Sequence, residues 1–76
     1  MAHINKVLKS IEADDGIRCV DIFIRPDKSF GFEEFRRDPE DGRGWYPIGM
    51  HATTSYETQA DAMHHAEISV NWLRFN

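Results

Sequence analysis

The chain has one cysteine, Cys19, so no disulfide can form within it. A lone thiol fits a reducing compartment, which makes the cytoplasm the expected location. No apolar run approaches the roughly 20 residues of a membrane span. The opening Met1-Ala2-His3-Ile4-Asn5-Lys6 lacks the charged-then-apolar layout of a secretion signal. Basic residues are in the minority, nine Lys and Arg against thirteen Asp and Glu, for a net charge of −4. Such a chain repels phosphate on average, so a nucleic-acid role would need a concentrated basic patch. Instead, Arg18, Arg25, Lys28, Arg36, Arg37 and Arg43 are interleaved with Asp21, Asp27, Glu33, Glu34, Asp38, Glu40 and Asp41.

What is present is globular: 41% hydrophobic and 29% charged residues. The 76 residues allow one domain, 1–76, with one core. A domain of this size buries only about 60% of its unfolded surface, so tight packing or a partner subunit has to supply part of its stability.

Ile4, Val7, Leu8 and Ile11 fall at i, i+3, i+4 and i+7, the apolar stripe of a short helix that Asp14-Asp15-Gly16 would end. Three acids at its C-terminal end oppose the helix dipole, so it would depend on tertiary contacts. From Arg18 to Arg25 the period becomes two, and the β-branched content suits a strand. Pro26-Asp27-Lys28 is a turn, Ser29 to about Arg37 a second strand, 38–44 a polar loop, and Trp45 to about Ala52 a third strand. Pro47 places that strand at an edge. In antiparallel register Ile24 then faces Phe30, Ile22 faces Phe32, and Phe35 faces Pro47. One sheet face collects Val20, Ile22, Ile24, Phe30, Phe32, Tyr46, Ile48 and Met50. The other collects Cys19, Asp21, Phe23, Arg25, Gly31, Glu33, Phe35, Arg37, Trp45 and His51. A one-residue slip would scatter the aliphatics. Thr58 caps a closing helix whose Ala62, Met63, Ala66, Val70 and Leu73 cover the aliphatic face, with Ile68, Trp72 and Phe75 as a second stripe. The expected fold is α+β, in the order α-β-β-β-α, with a three-stranded meander and two helices on one face.

That order resembles the double-stranded RNA-binding fold, whose second helix begins with clustered lysines that grip phosphates. The matching segment here, Tyr56-Glu57-Thr58-Gln59-Ala60-Asp61-Ala62, holds two acids and no lysine. Double-stranded RNA is therefore not an expected partner. Phe30-Gly31-Phe32, Gly44-Trp45-Tyr46-Pro47-Ile48-Gly49 and the closing Ala62 to Trp72-Leu73 stretch resemble small bacterial domains of unknown function. That resemblance implies no activity and no site.

No residue set nominates an enzyme. His64 and His65 are adjacent and diverge by about 100° on a helix. Asp61 and His65 have metal-ligand spacing but no further ligands, and His3, His51 and Cys19 have nothing to gather them. Cys19 has no neighbouring base. Gly42-Arg43-Gly44 precedes no phosphate-binding helix. No metal, catalytic residue or small-molecule cofactor is expected.

Two surfaces remain. Arg36, Arg37, Arg43 and Trp45 could bind an anion or a single strand by charge and stacking, against the plainer reading that Arg37 merely packs on Trp45 beside a solvated acidic loop. Phe23, Phe35 and Trp45, with Arg37, would lie on the helix-free sheet face, where Gly31 leaves room beside Phe23. Solvated sheet faces are normally polar, and contiguous apolar patches mark interaction sites. The expected function is thus a small protein-interaction domain, binding another protein or a second copy through that face or an edge strand. The alternative is weak nucleic-acid or anion binding through the arginine cluster.

Overall fold

The computed structural model describes residues 4–40, 42–49 and 51–75, with the side chains of Arg74 and Phe75 excepted. Among these residues four strands precede one helix: β1 (Lys6–Glu12), β2 (Arg18–Ile24), β3 (Phe30–Arg36), β4 (Tyr46–Ile48) and α1 (Gln59–Ser69), with single 3-10 turns at His51–Thr53 and Asn71–Phe75. The strands form one antiparallel sheet in the order β1-β2-β3-β4. The domain is a small α+β body, but not the α-β-β-β-α arrangement expected from the sequence. The sheet has four strands rather than three, and one helix rather than two covers it. The element order that resembled the double-stranded RNA-binding fold is therefore not the order of this chain.

The error at the N-terminus has a specific cause. Lys6 pairs with Ile24 and Val7 with Phe23, but the next pair is Lys9 with Ile22, so Leu8 is an extra residue in a β-bulge. A bulge resets the two-residue alternation by one. Val7 consequently shares a face with Phe23, while Ile11, opposite Val20, reaches the other face and joins the core. The resulting apolar spacing imitates a helix stripe. Two helical turns closed by acids are marginal alone, whereas a strand gains a full ladder against β2. Asp14-Asp15-Gly16 is the hairpin turn: Gly16 is left-handed at φ 71°, and Ala13 N–H reaches Arg18 O at 2.9 Å. Asp15 ties the turn by accepting from Ile17 N–H and Arg18 Nε, each at 3.0 Å.

The β2–β3 and β3–β4 registers are those the alternation predicts, including Ile24 with Phe30, Ile22 with Phe32 and Phe35 with Pro47. Val20, Ile22 and Phe32 are buried with Ala62, Ala66, Val70 and Leu73 of the C-terminal segment. The small Ala62 and Ala66, fully buried, let α1 sit directly on the strands. Thr58 caps α1, its side chain accepting from Asp61 N–H at 3.0 Å. The expected second stripe on α1 is not a stripe. Ile68 is exposed, whereas half-buried Trp72 packs on the core and donates its indole N–H to Glu34 Oε2 at 3.1 Å.

The third expected strand is cut to three residues. Gly49, at φ 83°, turns the chain away, and His51–Thr53 forms a 3-10 turn in place of extended backbone. Tyr56 then returns to β3, exchanging both backbone hydrogen bonds with Phe30 at 2.8 Å. Met50, which the register assigned to the aliphatic face, and the Phe75 ring lie outside the described residues. The shortest dimension of the molecule is 18 Å, the depth of one sheet and one helix layer. Among the described residues no second helix or sheet packs on the face opposite α1, which the 3-10 turn reaches at Ala52.

Candidate functional site

Residue pairs across the ladder share a face, so the register places Val7, Ser10, Glu12, Cys19, Asp21, Phe23, Gly31, Glu33, Phe35 and Pro47 on the helix-free side. Two hollows lie there. One, of about 210 Å³, is lined by Ser10, Glu12, Cys19, Asp21, Phe35 and Trp45. The other, of about 320 Å³, is walled by Val7, Phe23, Phe35 and Pro47 with the carboxylates of Asp21 and Glu33. Asp21 and Phe35 line both, so the hollows form one two-lobed groove.

The three aromatic residues singled out in the sequence do not behave alike. Trp45 is 39% exposed and Phe35 half-buried, but Phe23 is only 5% exposed. Phe23 is covered by Arg25, whose guanidinium carbon sits 5.0 Å from the ring centroid. That guanidinium is pinned by Ala52 O at 2.6 Å, Phe30 O at 3.0 Å and Thr54 O at 3.2 Å. Arg37 lies over Trp45 at 4.9 Å and donates Nε–H to Gly16 O at 2.9 Å. Each arginine thus covers one ring of this face.

Arg36 pairs with Tyr46 in the ladder and is exposed. Successive strand residues point to opposite faces, so Arg36 and Arg37 do not share a side of the sheet. Arg43 is exposed in the loop before β4. The four residues of the anion-binding alternative are therefore spread over two faces and a loop.

Polar groups on the groove floor are tied to one another. Ser10 Oγ donates to Asp21 Oδ1 at 2.6 Å and lies 3.2 Å from Cys19 Sγ, which is 3.4 Å from the same Asp21 oxygen. Burial pushes the Cys19 thiol up from its ordinary value, and the Asp21 carboxylate adds to this. The group stays a thiol at neutral pH and makes a poor nucleophile. Glu33, buried, accepts from His51 N–H at 3.3 Å and Glu34 N–H at 3.1 Å, closing the start of the 3-10 turn.

His51, which the alternation assigned to the helix-free face, instead packs, like His65, on the other side. His51 stacks on Phe32 (4.8 Å), Phe32 on Tyr56 (6.0 Å) and Tyr56 on His65 (4.8 Å). Among the described residues no group of three or more His, Cys, Asp and Glu side chains is placed to hold a metal. Nor is any helix among them long and apolar enough to cross a membrane.

Sequence reasoning missed the contribution of β1. Val7, Ser10 and Glu12 supply one wall of the groove, and all three were placed on a helix. The Asp-Asp-Gly turn was the signal that could have found them, since Asp-Gly between apolar runs favours a hairpin. Comparison with known proteins adds no further constraint: no protein-family model, no curated protein and no solved structure matches this chain.

Proposed function

We propose that the chain is a small protein-interaction domain that docks a partner on the helix-free face of its sheet. The observation that carries this reading is the two-lobed groove, floored by Phe35 and bordered by Trp45, on a sheet face that no second helix or sheet covers among the described residues. An 18 Å-thick body with 10 buried apolar residues among those described has a modest core, and covering a second sheet face adds apolar burial at about 25 cal/mol per Å². Aromatic residues are enriched at the centres of such interfaces. Its protonated lone thiol is compatible with a reducing compartment, where the partner is expected to be found.

The test is a pair of variants, Trp45→Ala and Phe35→Glu. Both are expected to keep the circular dichroism and cooperative melting of the parent while losing proteins that the parent retains from its native cell. Retention of the same proteins by both folded variants would remove this reading. Light scattering on the same samples distinguishes a hetero-partner from a second copy. The anion-binding alternative draws no support from the geometry, because Arg37 is engaged with Trp45 and Gly16 and Arg36 faces the other way.

A further inference from the structure

We propose that the partner segment docking on this face is a basic amphipathic helix, an inference that rests on the reading of the face as a docking surface. The charge of the groove selects the sign. Glu12, Asp21 and Glu33 line the two hollows, and no Lys or Arg is among their lining residues. The nearest guanidiniums stand at the borders, Arg25 drawn to the carbonyls of Ala52, Thr54 and Phe30, and Arg37 to that of Gly16. Glu33 is buried and occupied by two backbone N–H groups, and Asp21 accepts from Ser10 and Cys19 on one oxygen, so the exposed Glu12 is the carboxylate a cation would meet first, with the Asp21 charge, shared by both lobes, behind it. Phosphate is repelled by the same arrangement.

The backbone of the sheet selects the form of the occupant. The backbone N–H and C=O groups of β2 and β3 lie in the plane of the sheet, directed at neighbouring strands, so the middle of this face offers no main-chain donors or acceptors. An extended peptide laid across it would bury its own backbone groups unpaired. A helix brings those bonds already made and presents apolar side chains at i, i+3, i+4 and i+7 to the hollows. It also completes a third layer on a two-layer body.

A second copy of the chain does not supply such a helix. The only α-helix among the described residues, Gln59–Ser69, carries Asp61 and Glu67 and no Lys or Arg, and its small face is spent on Val20, Ile22 and Phe32. The charge pattern therefore points to a different polypeptide.

The experiment uses three synthetic helices of roughly 18 residues, long enough for marginal helicity. They share one Leu/Phe stripe and differ only in flanking Lys, Gln or Glu. Each is titrated calorimetrically into the 76-residue protein at about 50 mM and about 300 mM salt, between which the screening length falls about 2.5-fold. The Lys helix is expected to bind about tenfold more tightly than the Glu helix at low salt, and to lose that advantage at high salt. Glu12→Gln, at an exposed position that leaves folding unaffected, should reduce the preference, and Asp21→Asn should reduce it further. Equal binding of all three helices, abolished by Phe35→Glu, would overturn the charge argument and leave the docking face standing. Preference for the Glu helix, binding of none, or loss of the Lys helix to self-association of the protein would each overturn the inference.

Discussion

Gly31→Ala probes the device that takes Phe23 out of the exposed aromatic surface. A methyl group at residue 31 would sit 2.8 Å from Arg25 Nη2 and 2.9 Å from two atoms of the Phe23 ring. Contacts this short force a neighbour to move. Arg25 cannot swing away freely, because its guanidinium is held by the carbonyls of Ala52, Phe30 and Thr54. Phe23, 5% exposed, is confined between that guanidinium and the strand. Overpacking of a closed site costs about 1–3 kcal/mol, offset by about 0.5–1 kcal/mol from replacing a strand glycine. The expected net loss is about 1–2 kcal/mol, or a melting point lower by roughly 5–15 °C for a domain of this size. Thermal and urea unfolding of Gly31→Ala, Arg25→Ala and the double variant measure it. In the double variant Phe23 can shift into the space vacated by the guanidinium, so the two changes together should cost less than their sum. A Gly31→Ala protein as stable as the parent, or strictly additive losses, would refute the account of this site.

Three further perturbations address other elements. Glu34→Ala removes the acceptor of the half-buried Trp72 indole and should cost about 1–3 kcal/mol in urea unfolding, with Glu34→Gln retaining most of the stability. Thr58→Ala deletes the cap of α1 and should cost about 1 kcal/mol by the same measurement. Asp15 is held below its ordinary value of 3.8, first by the Ile17 N–H and then by Arg18. A lowered folded-state value contributes stability that is present above the unfolded value and lost as pH falls through the folded one. Asp15→Asn should therefore lose less stability than the parent on acidification below about pH 4, as followed by melting temperature against pH. The same acid slope in both would contradict that role.

The central sheet was legible because its alternation is strict. Val20, Ile22 and Ile24 against Phe30 and Phe32 fix one register, and Phe35 against Pro47 fixes the next. The helix was legible from Thr58 and from Ala62 and Ala66. β1 was not, because one bulged residue, Leu8, converts a two-residue period into an apparent helical one. The length of β4 was hidden because Gly49 ends it with a backbone turn while Ile48 and His51 still alternate like strand residues. The site was half legible. Phe35 and Trp45 are where the alternation places them, whereas the covering of Phe23 by Arg25 depends on carbonyls far along the chain at Ala52 and Thr54. Such distant partners leave no local periodicity.

Backbone amide and indole N–H shifts of the isotope-labelled protein, recorded as the Lys-flanked helix is added, test the docking face most directly. The largest changes should fall on Asp21, Phe23, Phe35 and the Trp45 indole, with Ala62 and Ala66 beneath the opposite face nearly still. Changes concentrated on α1 or along the outer edge of β1, or none at all, would contradict the assignment of the helix-free face as the docking surface.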